Sequence, residues 1–167
     1  MKGSVLAFVS IKGGVGKTTL ALETASSLAN NYGKKVLLVD GNFHAPNIGL
    51  YLDLTNKENF DVTLHDALLG VGLHNAIYES HGFDVVPAAF DYEHEVDVLK
   101  LGNILSKFKS RYDFIILDSS PNYEELKPIV VAADKIFVVT TPDIVTLKTS
   151  LKSATVARRR KTPIVGI

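Results

Sequence analysis

The chain has 167 residues, 46% of them hydrophobic, which suffices for one sizeable core and hardly two, so we predict a single domain over residues 1–167. Eighteen basic residues balance eighteen acidic ones, which argues against binding nucleic acid through net charge. The sequence contains no cysteine, which excludes disulfides and thiolate metal sites, and no apolar run is long enough for a membrane-spanning helix. We therefore expect a cytoplasmic protein.

Short apolar runs alternate with longer amphipathic segments along the chain. Continuous apolar runs of this length are typical of strands that are buried on both faces. Their alternation with helical patterns predicts an α/β fold, with a parallel sheet and helices on both of its faces. The predicted strands lie at residues 5–9, 36–40, 83–87, 114–118, 135–140 and 163–167.

The segments between these runs carry helical periodicity. Steps of three and four residues predict two apolar stripes that face the core, formed by Val98, Leu101, Leu105 and Phe108, and by Ile144, Leu147, Leu151 and Ala154. Pro128 predicts that its helix kinks or starts late. Residues from about 41 to 82 are the least regular, and within them TLHDALLG predicts a short helix that ends at Gly70.

Residues 10–19, SIKGGVGKTT, connect the first predicted strand to a helix. Ligands of open parallel sheets bind at the carboxyl ends of strands, so this loop is correctly placed for one. Glycines allow the backbone to curl with its N–H groups inward, and a helix that begins near Lys17 adds its positive dipole end. These features predict a phosphate site, and the glycines concerned are Gly13, Gly14 and Gly16.

Polar side chains at the start of that helix match the needs of a nucleotide with Mg²⁺. Lys17 can reach the β- and γ-phosphates, the Thr18 hydroxyl can ligate magnesium, and Thr19 can hydrogen-bond a phosphate. The strict phosphate-loop pattern has glycine where this chain has Ile11, so the match is to a variant loop.

Two aspartates follow predicted strands at the same edge of the sheet. Asp118 ends the strand at 114–118, where its carboxylate can hold a magnesium-bound water beside the loop. Asp40 ends the second predicted strand and can hold a metal-bound water or help to place the attacking one. The structural alternative for each is an acidic N-cap of the following helix.

The stretch KGGVGKTT resembles the deviant Walker A motif of the MinD/ParA family of dimeric P-loop ATPases. KKVLLVDGNFHAPNIGL is similar to the second strand and switch I of that family, and YDFIILDSSP to its Walker B and switch II. AADKIFVVTTPDIVTLKTS resembles the strand and helix that follow, and the MinD branch looks closer than the plasmid ParA branch. The resemblance implies a three-layer P-loop NTPase fold that binds ATP or ADP with Mg²⁺.

The resemblance also implies roles for individual residues. The first lysine of the loop, Lys12, would reach the partner's phosphates across a dimer interface, which would couple dimerisation to ATP because a cation there stabilises the charge that develops in phosphoryl transfer. Catalytic roles are expected for Lys12, Lys17 and Asp40, and metal binding for Thr18, Asp40 and Asp118. Nucleotide binding is expected from Gly13, Gly14, Val15, Gly16, Lys17, Thr18 and Thr19.

Switch I departs from the family's common Asp-x-Asp pattern, because this chain has Asp40, Gly41 and Asn42. Asparagine can still hydrogen-bond a water, but it carries no charge and cannot accept a proton. We therefore hypothesise weak ATPase activity with ATP binding and dimerisation retained. The alternative is that Asp40 suffices or that another acid substitutes.

The family continues beyond the segment that corresponds to this chain's last predicted strand. Its further elements include an asparagine that contacts adenine and, in MinD, a membrane-binding amphipathic helix. We expect these C-terminal elements to be lacking, as in a truncated or naturally shortened protein, so neither property is carried over.

Two further groups of residues carry weaker signals. The run at 158–161, three arginines and a lysine, could touch DNA phosphates or an anionic membrane, but helix-terminal cations explain it better. The five histidines show no metal-ligand spacing and are expected in loops or at the surface: His44, His65, His74, His81 and His94.

Three functions remain open at this point. The first is a nucleotide-switched ATPase in division-site placement, partitioning or positioning, acting as an ATP-dependent homodimer with a protein partner or activator. The second is a P-loop enzyme that acts on a small molecule, and the third is a noncatalytic nucleotide-binding module, which Asn42 favours. Iron–sulfur carriers of the same superfamily are disfavoured, because they hold their clusters through cysteine.

Overall fold

The computed structural model of the chain describes residues 2–56, 60–92 and 95–167. Its strands are β1 Ser4–Val9, β2 Val36–Val39, β3 Tyr78–Ser80, β4 Phe83–Val86, β5 Phe114–Leu117, β6 Lys135–Val138 and β7 Ile164–Gly166. They form a sheet in the order β3-β4-β2-β5-β1-β6-β7. Every neighbouring pair is parallel except β3 and β4, which are antiparallel at one edge.

The helices cover both faces of this sheet. They are α1 Lys17–Asn30, α2 Ile48–Tyr51, α3 Leu64–Leu69, α4 Leu101–Ser106, α5 Tyr123–Ala132 and α6 Ile144–Arg160, with 3-10 turns at Leu54–Asn56, Leu73–Ala76 and Val98–Lys100. Successive strand side chains point to opposite faces, and along β2 they divide between two apolar clusters. One cluster includes α1 and α2 and the other includes α3 to α6, which confirms the three-layer fold.

The six predicted strands are confirmed, each within two residues of its predicted bounds. The sequence pattern missed β3, which has only three residues, pairs antiparallel at the edge and lies in the irregular region. The short helix that ends at Gly70 is also confirmed, because α3 begins after a Thr63–Asp66 capping box and ends at Gly70 with φ of 113°.

The predicted inward stripe of α6 is wrong. Ile144, Leu147 and Leu151 are between 40% and 64% exposed, and among the four residues only Ala154 is buried. The buried face of α6 instead consists of small residues, which let the helix approach the sheet closely, and includes Ser150, Ser153, Ala154 and Ala157. Hydrophobic periodicity does not predict such a face. A helix that packs close to a sheet needs small residues at the contact, and these can be polar, as the serines are here.

Two other helix predictions need correction. The stripe from Val98 to Phe108 does not form one helix, because a 3-10 turn precedes α4 and Phe108 lies beyond it, although both residues still pack against the core. The helix that contains Pro128 does not start late, because α5 begins at Tyr123, where Asn122 caps it by accepting from the Glu124 N–H. Within the described residues, no helix is long and apolar enough to cross a bilayer.

Gly41 allows the chain to leave β2 close to the neighbouring strand β5. A Cβ at this position would lie 2.4 Å from the Asp118 carbonyl oxygen and 2.7 Å from Ile129 Cδ1. Position 41 therefore has no space for a side chain, and a Cβ there would displace the Asp118 backbone and the Ile129 side chain.

We predict that Gly41→Ala lowers the free energy of unfolding by about 2 to 3 kcal/mol, because overpacking moves backbone as well as side chains. Urea denaturation of the two proteins measures this. Gly13→Ala is the matched control, since a Cβ at Gly13 meets nothing within 4 Å, and it should change stability by less than about 0.5 kcal/mol. Equal stability of Gly41→Ala and the wild type would contradict the close approach.

Candidate functional site

The loop between β1 and α1 has the geometry of an anion-binding nest. Gly14 and Gly16 have φ of 72° and 96°, the left-handed conformation that turns successive N–H groups to one side. The helix starts at Lys17, and Leu20 makes its first backbone bond, to the Gly16 carbonyl at 2.9 Å. The N–H groups of the first turn therefore have no partner within the helix, and the loop that precedes them is where a phosphate is predicted to bind.

Lys17 lies under this loop, and only 7% of the residue is exposed. Its Nζ donates to the Lys12 carbonyl oxygen at 3.2 Å, so the ammonium group is held within the loop that would surround a phosphate. Burial lowers the pKa of Lys17, and the nearby Asp118 carboxylate opposes that effect. A desolvated ammonium group is a strong point charge for a phosphate oxygen.

Thr18 and Asp118 meet directly. The Thr18 hydroxyl donates to Asp118 Oδ2 at 2.6 Å, and the Ser119 N–H donates to Asp118 Oδ1 at 2.8 Å. Burial raises the pKa of Asp118, although both hydrogen bonds and Lys17 favour its charged form. Asp118 is not an N-cap, because Asn122 fills that place on α5.

Asp40 is fully buried at the end of β2, next to Asp118 at the end of β5. Its Oδ1 accepts from the Asn42 N–H at 3.0 Å, and its Oδ2 accepts from the N–H groups of Asn47 and Ile48 at 3.1 Å. Burial first, and then the Asp118 charge, raise the pKa of Asp40 to about 7 despite these three bonds. The carboxylate thus binds N–H groups at the start of α2, as an N-cap would, although the N-cap position itself is Asn47. The alternative that Asp40 caps the following helix is therefore partly correct.

Asn42 is buried, and its side chain is bonded within its own loop. Its Nδ2 donates to the Ala45 carbonyl oxygen at 2.6 Å, and its Oδ1 accepts from the Ala45 N–H at 3.3 Å. Both ends of the amide are therefore occupied by residue 45, in the segment 40–47 that we call the switch segment. An aspartate could accept from Ala45 but could not donate to its carbonyl.

These residues surround a cavity of about 370 Å³. Its wall contains the predicted binding residues Gly13, Gly14, Gly16, Lys17, Thr18 and Thr19, together with Asn42. Val15 packs instead against the apolar cluster below, and Lys12 is exposed on the rim, its backbone N–H bonded to Ser10 Oγ at 3.3 Å. The sequence pattern missed further wall residues, for which it offers no local signal: Ala45, Asn47, Tyr51, Ser119 and Pro121.

The loop is anchored from behind by α6, a contact that the sequence pattern did not predict. The Ile11 N–H donates to Ser153 Oγ at 3.2 Å, and the hydroxyls of Ser10 and Ser150 are 3.4 Å apart. The small buried face of α6 therefore fixes the position at which the loop leaves β1.

The donor set fits a nucleotide phosphate and Mg²⁺. Burial raises the pKa of both Asp40 and Asp118, so a divalent ion would stabilise their charged forms. Because the Thr18 hydroxyl gives its proton to Asp118, its oxygen lone pairs are free for a metal ion. Thr18 would ligate the ion directly, and Asp40 and Asp118 would hold its waters.

The other charged candidates lie elsewhere. Residues 158–161 end α6 and are exposed, as expected of helix-terminal cations. His65 was expected in a loop or at the surface, but it is buried in α3, where its Nδ1 accepts from the Ala89 N–H at 3.0 Å. His94 lies outside the described residues, within which no group of three or more His, Cys, Asp or Glu is spaced to hold a metal ion.

Comparison with known proteins agrees with this geometry. The family model described as AAA domain matches residues 3–156. The cell division ATPase MinD of Pyrococcus furiosus is 32% identical, with a TM-score of 0.88 over 98% of this chain and 70% of that one. Septum site-determining protein MinD of Pyrococcus horikoshii, solved with Mg-ADP, is 30% identical, with a TM-score of 0.87 over 98% and 68%.

The chain therefore has a P-loop NTPase fold. It belongs to the MinD/ParA family of P-loop ATPases. An uncharacterised ATP-binding protein of Methanocaldococcus jannaschii is 30% identical over 98% of the chain. The chain spans 62% of the length of that relative.

The raised pKa of Asp40 predicts a pH-dependent stability in metal-free buffer. Because the pKa in the folded state, about 7, exceeds the unfolded value of 3.8, the carboxyl group favours folding at low pH, and this contribution is lost as the pH rises through 7. Between pH 5 and 8 the loss should be about 2 to 3 kcal/mol relative to Asp40→Asn, which cannot titrate.

Chemical denaturation of both proteins in a chelating agent at pH 5 and pH 8 measures the difference. Millimolar Mg²⁺ should restore the wild type at pH 8, because it binds the ionised carboxylate, and should not restore the variant to the same extent. Parallel pH profiles for the two proteins would show that Asp40 does not titrate in this range.

Proposed function

We propose that this chain is the nucleotide-binding domain of an ATP-driven switch that binds ATP or ADP with Mg²⁺, dimerises in its ATP form and hydrolyses ATP slowly. The observation that carries the proposal is the cluster of buried Lys17, Asp40 and Asp118 with half-buried Thr18 beside the loop between β1 and α1. The names of its relatives favour a role in division-site placement or partitioning, exerted through a protein partner or activator.

Each residue of the cluster has a distinct role in this proposal. The N–H groups of residues 13–19 bind the phosphates, and Lys17 neutralises the β- and γ-phosphate oxygens. Magnesium supplies charge compensation at the phosphates when it is bound. Thr18 is its direct ligand, and Asp118 orients Thr18 through the 2.6 Å hydrogen bond and holds the ion's water.

Asp40 connects the nucleotide to the switch segment. Its carboxylate accepts three N–H groups from residues 42, 47 and 48, and it lies beside Asp118 under the same loop. A change of charge at the phosphate loop would alter how strongly Asp40 holds the start of α2. The cluster therefore provides a physical route from the bound phosphate to the shape of the switch segment.

Lys12 is the residue proposed to couple ATP to dimerisation. It is exposed at the rim of the cavity, and its carbonyl, not its ammonium group, is held by Lys17. An exposed lysine beside a phosphate site is free to reach a second protomer, where it would stabilise charge on that protomer's nucleotide.

A noncatalytic nucleotide-binding module is the second candidate, and the bonding of Asn42 favours it. Both polar atoms of the amide bond to Ala45, and Asn42 carries no charge and cannot accept a proton from a water. The two candidates share the binding site and differ only in turnover.

Titration of Mg-ATP and Mg-ADP by calorimetry tests the binding site. Lys17→Ala should weaken both nucleotides by at least about tenfold, because it removes a buried charge-assisted contact to phosphate. In sedimentation with Mg-ATP, Lys12→Ala should abolish dimers while its affinity as a monomer changes by less than about twofold.

Lys148→Ala, an exposed lysine on α6, is a matched control for the loss of a surface charge. Failure of the folded wild-type chain to bind nucleotide, or unchanged binding by Lys17→Ala, would contradict the assigned site. Dimers that persist in Lys12→Ala would contradict only the role of Lys12.

Steady-state phosphate release separates the two candidates. Asn42→Asp should raise turnover by about tenfold or more, because a carboxylate can accept a proton from water and because the donor bond to Ala45 is lost. Asn47→Asp, also on the cavity wall, is the control that adds equal charge and likewise loses a donor bond to the Ala45 carbonyl, so it should not raise turnover unless the position of the carboxylate is irrelevant. An unchanged or lower rate in Asn42→Asp would exclude Asn42 as the cause of slow hydrolysis.

A further inference from the structure

A second cavity, of about 580 Å³, lies on the other side of the switch segment. Phe43 and His44 of that segment form one wall, His65 of α3 and Glu125 of α5 form others, and residues 89–92 after β4 close it. This cavity takes no part in the nucleotide site described above.

Glu125 is the unusual group in this cavity, because the residue is 6% exposed. Its Oε1 contacts His44 Nδ1 and accepts from Asn122 Nδ2 at 3.4 Å. Its Oε2 is buried and has no hydrogen-bond partner among the residues that the structure describes. A buried carboxylate oxygen normally has a donor or a cation, because leaving it bare costs desolvation free energy.

The charge around Glu125 is negative. Asp91 and Glu95 lie on the exposed rim of the cavity, and among the described residues its wall contains no lysine or arginine. His65 adds no cation, because burial lowers its pKa and its Nδ1 is bonded to the Ala89 N–H. His44 contacts Glu125, and its side chain is 75% exposed.

Aromatic rings complete the wall. Phe90 is 71% exposed, and Tyr92 packs its ring on His65 with centroids 4.6 Å apart. Ring faces beside carboxylates attract organic cations. A metal ion fits this site less well, because no group of metal-ligand side chains in the described part of the chain is spaced to hold one.

We propose that this cavity binds an organic cation with an ammonium or guanidinium head group. Glu125 accepts hydrogen bonds from the head group, Asp91 and Glu95 attract it, and Phe90 covers its apolar stem. The same chemistry is offered by a free alkylamine and by a lysine or arginine side chain of a partner protein. The proposal does not depend on nucleotide binding, although an occupant would touch the segment that holds Asp40 and Asn42.

The test is titration of the full chain, without nucleotide, using butylamine, agmatine and an N-acetylated arginine amide, followed by amide NMR shifts. We expect saturable binding at one site, with shifts at residues 43–44, 89–92 and 125. Glu125→Gln, which keeps the shape of the side chain, should weaken binding by about tenfold or more, because a charge-assisted hydrogen bond is lost. Butanol, which has no charge, should not bind at this site.

Glu124→Gln is the matched control, because the neighbouring carboxylate is exposed on the same helix, and it should leave the affinity within about twofold. Glu95→Gln and Phe90→Ala alter exposed residues and should each weaken binding by about twofold to fivefold. These two variants test the proposal even if Glu125→Gln does not fold.

Binding of butylamine and agmatine alone would assign the site to free amines, and binding of the arginine amide alone would assign it to a partner's side chain. Absence of saturable binding, or binding that is unchanged in Glu125→Gln, would overturn the proposal. If Glu125→Gln is unfolded, unchanged affinity in both Glu95→Gln and Phe90→Ala would overturn it as well. Nucleotide titrations of the same variants would separate its failure from failure of the proposed nucleotide switch.

Discussion

The burial of two neighbouring aspartates is the constraint on which the rest of this structure depends. Asp40 and Asp118 follow paired strands whose register matches Val39 with Leu117, so the two carboxyl groups leave the sheet side by side. β1 lies on the other side of β5, so its loop ends at the same edge. Four backbone N–H groups, the Thr18 hydroxyl and Lys17 favour the charged carboxylates, but burial still raises the pKa of both, so a bound cation would stabilise them further.

The phosphate loop is held in place by α6, a helix whose small residues are buried and whose larger apolar residues are exposed. Small residues of α6 lie against the loop and the sheet, and two of its serines contact Ser10 and Ile11. The larger apolar residues of the same helix, Ile144, Leu147 and Leu151, are left outward. The close approach of α6 to the loop therefore leaves apolar area of this helix exposed. That approach fixes the direction of the loop's N–H groups, which phosphate binding requires.

The switch segment separates two cavities of different chemistry. Asn42 lies on the wall of the phosphate cavity, whereas Phe43 and His44 lie on the wall of the acidic one. Gly41 fixes where the segment leaves the sheet, and Asp40 fixes where it enters α2. The segment is therefore held at both ends, and its middle residues form part of the wall of each cavity.

The amino-acid sequence determined the strands, the layer architecture and the nucleotide loop, because strand burial and phosphate binding each require a local pattern. Apolar runs between glycine-rich and polar stretches are such patterns, and so is GGVGKTT at a strand end. Asp40 and Asp118 could be predicted for the same reason, since each follows a buried strand directly. The edge strand β3 gave no signal, because a strand of three residues carries too little periodicity.

Only the tertiary structure decided which face of α6 is buried, that His65 is enclosed, and that Glu125 is a buried carboxylate with an oxygen left bare. These properties depend on residues far apart in the chain. Ser153 lies 142 positions from Ile11, from whose N–H it accepts a hydrogen bond. His44 lies between β2 and α2, whereas its contact Glu125 lies on α5. A sequence pattern gives the type of each residue and its neighbours along the chain. The burial and the bonding partners of a side chain depend on which residues of other elements pack against it.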